Sequence, residues 1–258
     1  MISASVRGAL ARLGLTPYAR RLYVLVAADE RTLSIDGTDA GFGCESFGDH
    51  MELNRVGAER EVLRRLRREI RPSDVFLDIG SNLGVFAVFV GSVIEEGAVV
   101  AVEPVPATAD KLRRNLARNG IDATVANVAF AAEAGEVRMT VPDAHGSSAV
   151  ESGETESEVV TVESVPGDEH LEARDLPTPT VVKMDVEGYE HAALNGLEQT
   201  LGSPDCRLVY CEVHPGHASK YGIDSGNVEA ILGSHGFETD RIADLPGERY
   251  VLRASRRD

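Results

Sequence analysis

Asp78, Glu103, Lys183, Asp185, Glu212 and His214 all stand in, or at the end of, short apolar runs. A carboxylate there can hold a cationic group or accept hydrogen bonds from a diol. An imidazole or carboxylate can take a proton from a hydroxyl, and a lysine among apolar residues needs a carboxylate partner. Asp78 opens a turn, Asp78-Ile79-Gly80-Ser81-Asn82-Leu83-Gly84, whose Gly80 and Gly84 lack a Cβ and let a ligand lie against the backbone. An apolar run from Val85 begins a helix, so unpaired N–H groups point at the turn. Glu103, ending the next apolar run, can bind a ribose diol. A dinucleotide site wants G-x-G-x-x-G, with the second glycine against the pyrophosphate. Here the spacing is G-x-x-x-G, with Asn82 where that glycine would stand. S-adenosylmethionine has no pyrophosphate and tolerates a side chain at that point. The residues therefore favour this donor over NAD, with Asp78 holding a water or the ligand's cationic amino-acid end.

The elements that must position these groups follow from apolar periodicity. Residues 75 to 103 read as strand, turn, helix, strand and terminal acid, one βαβ unit. A helix is expected over Glu59 to Ile70, a second after Pro106 to Asn119 and a third strand over Ala123 to Val128, with Asn127 near its end. Extended pairs are expected at Val137 to Val141 with Val159 to Val165, and at Phe237 to Ile242 with Arg249 to Arg253. Strands four and five are Val181 to Met184 and Leu208 to Val213, with helices over Glu190 to Leu201 and Asn227 to His235. Strands alternating with helices require a mostly parallel sheet covered on both faces. Ahead of this, residues 1–30 have the spacing of two short helices, and Thr32 to Ile35 with Asp36-Gly37 and a return through Phe42 and Phe47 read as a hairpin. The division expected is 1–56, a helical and hairpin extension, and 57–258, the main α/β domain.

Ligands of open α/β sheets lie beyond the carboxyl ends of the strands. There the second group of polar residues gathers: Lys183, Asp185 and Glu187 after strand four, Glu190 in the following helix, Glu212 and His214 after strand five. Period-two alternation puts Lys183 and Asp185 on one face. At this point the chain resembles the FkbM-type S-adenosylmethionine-dependent methyltransferases. The resemblance rests on DIGSNLG (78–84), VAVEP (100–104), VVKMDVEGYE (181–190) and CEVHP (211–215), in that order, and covers residues 57 to 216. It implies the class I methyltransferase fold, a Rossmann-like sheet of seven strands with one antiparallel. It also implies O-methylation of a hydroxyl on a sugar, glycan or natural product. It puts Asp78, Gly80, Asn82 and Gly84 around the methionine part of the donor, Glu103 on its ribose and Asp185 at the methyl-transfer centre. Ser81, where the family typically has alanine, and Asn127 complete the expected donor contacts.

The donor is already activated, so alignment and removal of the hydroxyl proton are the remaining tasks. The candidate bases are Asp185, Glu187, Glu212 and His214, with Asp185 or His214 preferred and Lys183 holding the carboxylate. A divalent cation on Asp185 and Glu212 is the lesser alternative, and no metal site is assigned because no dedicated ligand spacing appears. An NAD(P)-dependent oxidoreductase and a non-catalytic cofactor-binding module stay open beside the enzyme reading.

Composition narrows the partners. The net charge is −16, and residues 1–72 carry 12 Lys+Arg against 10 Asp+Glu, leaving 14 against 32 for the rest. Such a surface disfavours nucleic acid and anionic membrane. Acid excess with three lysines (Lys111, Lys183, Lys220) fits a salt-adapted cytoplasm. No run is apolar enough to cross a bilayer, so a cytoplasmic protein is expected. Cys44, Cys206 and Cys211 show no paired spacing and are expected as core fillers. The acidic stretch Ala144 to Glu158 is expected as a loop over the site.

Overall fold

A computed structural model describes residues 29–56, 59–141, 158–218 and 227–256. The helices expected within 1–30 and the acidic stretch 144–158 fall, but for their last residues, outside the described residues. The central sheet runs β5 (Thr124–Ala126), β4 (Ala98–Val102), β3 (Val75–Ile79), β9 (Val181–Met184), β10 (Leu208–Val213), β12 (Tyr250–Ser255) and β11 (Glu238–Asp244), in that spatial order. All neighbours pair in parallel from β5 to β10, while β12 is antiparallel to both its neighbours. This is the seven-stranded, mostly parallel sheet expected, with the antiparallel strand as the last in sequence. The order reverses between β3 and β9, which makes their carboxyl ends the place for a ligand.

Alternation along the strands divides the core. Phe76, Val181 and Tyr210 face one cluster, shared with the hairpin β1 (Glu30–Ile35) and β2 (Thr38–Gly43), with α2 (Arg60–Glu69) and with α3 (Val85–Gly91). Leu77, Ile79, Val182, Met184 and Cys211 face the other, under α6 (Glu190–Asn195), α7 (Glu198–Gly202) and α9 (Asn227–Ser234). Asp78 and Lys183 alternate onto the first face, where Asp78 registers with Lys183 and Lys183 with Tyr210. Cys44, Cys206 and Cys211 are buried free thiols.

Several details differ from the sequence expectation. Phe47 does not return the hairpin; it opens a helix, α1 (Phe47–Val56). Ser46 and Asp49 form a reciprocal cap: Asp49 N donates to Ser46 Oγ at 3.1 Å and Ser46 N to Asp49 Oδ2 at 2.9 Å. Lys111 of α4 (Pro106–Arg118) then holds Asp49 at 2.7 Å. The helix expected from Glu190 to Leu201 is broken in two at Gly196, which packs so closely on the Ala131 carbonyl that a Cβ would lie 2.1 Å from its oxygen. The pair β7 (Gly135–Val141) and β8 (Glu158–Val165) forms, with β6 (Ala129–Phe130), a separate three-stranded sheet. The arginine face of α2 pins the hairpin: Arg64 pairs with Asp36 at 2.9 Å, and Arg67 donates to Thr38 Oγ1 at 2.6 Å.

Candidate active site

The turn after β3 is built as a cradle. Gly80 has φ +76° and Gly84 φ +84°, and Asn82, at φ +49°, adopts the left-handed form that asparagine tolerates better than most. Gly80 lies against β9's exit: a Cβ there would meet the Asp185 carbonyl oxygen at 1.9 Å. Ser81 is buried and donates to the Asp78 carbonyl at 2.7 Å, which ties the turn to its own strand. Glu103 closes the other side. Its carboxylate accepts the Asn82 N–H and the Val105 N–H, each at 3.0 Å, and burial still pushes its pKa up to about 7. Asn127 donates to the carbonyls of Glu103 and Pro104 at 2.8 and 2.9 Å, so it braces the segment that carries Glu103. Asp78 is fully buried, and neither carboxylate oxygen has a hydrogen-bond partner. The Lys183 ammonium, 3.4 Å from Oδ1, is the cationic partner that such a buried carboxylate requires.

The second cluster joins the first through Lys183. Its ammonium lies 3.4 Å from Asp78 Oδ1, 4.0 Å from Asp185 Oδ2 and 4.8 Å from the centre of the Phe86 ring. Burial opposes its charge, but Asp78, Asp185, Glu212 and Glu59 outweigh that and hold it protonated. Asp185 is buried too, yet Lys183, Arg55 and His214 keep its carboxyl below the ordinary range. His214 Nδ1 meets Glu190 Oε1 at 2.7 Å, while Nε2 faces Glu212 Oε1 at 3.3 Å and Asp185 Oδ1 at 3.6 Å. Burial alone would lower the ring's pKa, but Glu190, Glu212 and Asp185 raise it to about 10. Glu187 stands exposed on the bend after β9, at φ +52°.

Three site residues were not singled out in the sequence. Arg55, at the end of α1, pairs with Asp185 at 3.3 Å and Glu212 at 3.8 Å. Arg249, just before β12, donates to Glu212 Oε1 at 2.6 Å. Glu59, next to α2, is buried near Arg55, and burial raises its pKa to about 7. Gly80, Asn82, Lys183, Asp185, Arg55 and Glu59, among others, line one narrow crevice, so the turn and the cluster adjoin. A carboxylate, a lysine ammonium and a histidine ring beside a glycine turn can orient a hydroxyl and stabilise charge as it reacts.

Comparison with known proteins agrees with this geometry. The family described as Methyltransferase FkbM domain matches residues 78–239. Hexuronic acid methyltransferase AglP of Haloferax volcanii is 28% identical over 218 residues, 84% of this chain and 86% of that protein. The 31-O-demethyl-FK506 methyltransferase FkbM of Streptomyces tacrolimicus is 30% identical over 204 residues, 66% of this chain and 74% of that one. Among solved structures, methyltransferase FkbM from Methylobacillus flagellatus matches with a TM-score of 0.50 at 18% identity over 72% of this chain. This chain covers 44% of that one, and the likeness is one of fold.

Proposed function

The chain belongs to the FkbM methyltransferase family and is a methyltransferase, and from that premise we propose that it moves the methyl group of S-adenosylmethionine onto a hydroxyl of a sugar or small natural product. The observation that carries the reading is the shared crevice. The turn Gly80 to Asn82 and the Lys183–Asp185 pair line one space, with Glu103 behind the turn. Family membership sets aside the dinucleotide alternative.

In this reading Asp78 faces the donor's cationic end, and Glu103, when ionised, accepts the ribose hydroxyls. The donor supplies an activated methyl group. Asp185 stands beside the acceptor with Oδ1 free of hydrogen bonds, as the group that takes the hydroxyl proton while the new O–C bond forms. Lys183 and Arg55 fix its other oxygen, and His214 offsets the negative charge that gathers there. Glu212 positions His214. The acceptor of the Haloferax relative is a hexuronic acid, which makes an acidic sugar the first acceptor to try. Among the described residues no helix is long and apolar enough to cross a membrane, and the reading places the enzyme in the cytoplasm with its donor.

Calorimetric titration with S-adenosylmethionine, S-adenosylhomocysteine and NAD, followed by transfer of labelled methyl to glucuronic acid glycosides, tests it. Binding of the first two alone, and a labelled product stable to mild alkali, are expected for a methyl ether. An alkali-labile label would point to the carboxyl oxygen instead, and binding without transfer to any acceptor would favour the non-catalytic module.

A further inference from the structure

Asp185, Glu212 and His214 offer ligand atoms that all lie within 4.8 Å of one another. They come from three points on the rims of β9 and β10, at the carboxyl ends of neighbouring strands. The two distances to His214 Nε2, 3.3 Å and 3.6 Å, are the spacing of ligands around a small divalent cation. Bonds of about 2.0–2.2 Å place neighbouring ligands about 2.8–3.6 Å apart, from octahedral to tetrahedral geometry.

Two further observations point the same way. Glu190 holds the far nitrogen of the ring at 2.7 Å, the carboxylate support that metal-bound histidines ordinarily have. Asp185 is divided: Arg55 and Lys183 face Oδ2, while Oδ1 is buried, without a hydrogen bond, on the His214 side.

We propose that Asp185, Glu212 and His214 form a binding site for one divalent transition-metal ion such as Mn²⁺, open on the crevice that takes the acceptor. Two carboxylates and one imidazole suit Mn²⁺, Fe²⁺ or Zn²⁺ better than Ca²⁺. With the ion bound, Asp185 Oδ1 would hold the metal instead of taking the proton, and a hydroxyl coordinated to the ion would lose its proton to water more readily. The assignment rests on the methyl-transfer reading for its use, though not for its existence.

The test is a titration of the chelator-treated full chain with MnCl₂, following free Mn²⁺ by electron paramagnetic resonance, with S-adenosylhomocysteine titrated in parallel by calorimetry. One Mn²⁺ per chain is expected, bound at least tenfold more weakly by Glu212→Gln and His214→Ala while S-adenosylhomocysteine still binds. If His214→Ala fails to fold, Glu212→Gln, which keeps the side chain's shape, carries the comparison. Absence of Mn²⁺ binding up to millimolar concentration, or equal binding by native chain and variants, overturns the ion site and leaves the donor reading standing. Failure of the native chain to bind S-adenosylhomocysteine overturns the donor reading instead.

Discussion

Asp78 and Lys183 are register partners on adjacent parallel strands, and the lysine ammonium lies 3.4 Å from Asp78 Oδ1 with both side chains buried. The glycine turn after β3 and the Asp185–His214 cluster are therefore joined by one ion pair at the centre of the sheet. Removing one partner of a buried pair strands the other charge, at roughly 3–5 kcal/mol. Lys183→Met is expected to lower Tm by roughly 10 °C, at about 2–4 °C per kcal/mol for a chain of this size. The double variant Asp78→Asn, Lys183→Met should recover part of that loss. Thermal unfolding of the three proteins decides it, and a double variant less stable than Lys183→Met alone would count against the pairing.

Gly80→Ala is expected to weaken S-adenosylhomocysteine binding at least tenfold. The side chain would meet a backbone oxygen at 1.9 Å, and φ +76° adds roughly 1–3 kcal/mol of strain. Gly84→Ala is the comparison. It shares the strained φ, but its Cβ meets the tip of the Leu112 side chain, which can move. Calorimetry should rank native above Gly84→Ala above Gly80→Ala.

Glu103 makes donor binding depend on pH. Its pKa is raised from 4.5 to about 7 by burial, so folding takes up a proton at this carboxyl. The resulting cost is absent below about pH 4.5, grows as pH rises towards 7 and is constant above it. Native stability relative to Glu103→Gln should therefore fall by roughly 3 kcal/mol across that window. Affinity for S-adenosylhomocysteine should rise over the same range, because the ionised form is the better acceptor for the ribose hydroxyls. A native affinity that is flat from pH 5 to 8 would separate Glu103 from the donor.

Asp185→Asn keeps the shape of the residue that ends β9 but removes its charge. With Asp185 as proton acceptor, kcat is expected to drop by about 10²-fold or more, with S-adenosylhomocysteine binding within a few-fold of native. Single-turnover methyl transfer at saturating donor checks this, and an unchanged rate would move the base elsewhere in the crevice.

The acid excess predicts a response to salt. At a net charge of −16 the surface repels itself, and screening relieves it. Tm is expected to climb as KCl rises from 0.1 M to 2 M, and a melting curve indifferent to salt would leave the composition without an adaptive reading.

The turn from Asp78 to Gly84 and the strand ends at Glu103, Asp185 and His214 were legible because period-two apolar runs, glycines and terminal acids are local signals. The sheet followed from the alternation of strands and helices. The closing of the site was not legible. Arg55 reaches Asp185 across 130 positions, and no local pattern reports such a contact. The helix that carries Arg55 did announce itself, in the Ser46–Asp49 cap, but the glycines and aromatic residues before it favoured an extended reading. The surroundings of His214 were equally hidden: Glu190, Glu212 and Asp185, which together raise its pKa, come together only in the fold.

Glu212 is touched both by Arg55, which precedes the central sheet in the chain, and by Arg249, just before β12. During synthesis Arg55 and the strands around Asp78 emerge long before Arg249. A nascent chain thus carries Glu212 incompletely compensated until Arg249 and β12 have been made. A product cut before Arg249 would lack both that residue and the antiparallel partner of β10, and is expected to unfold more readily.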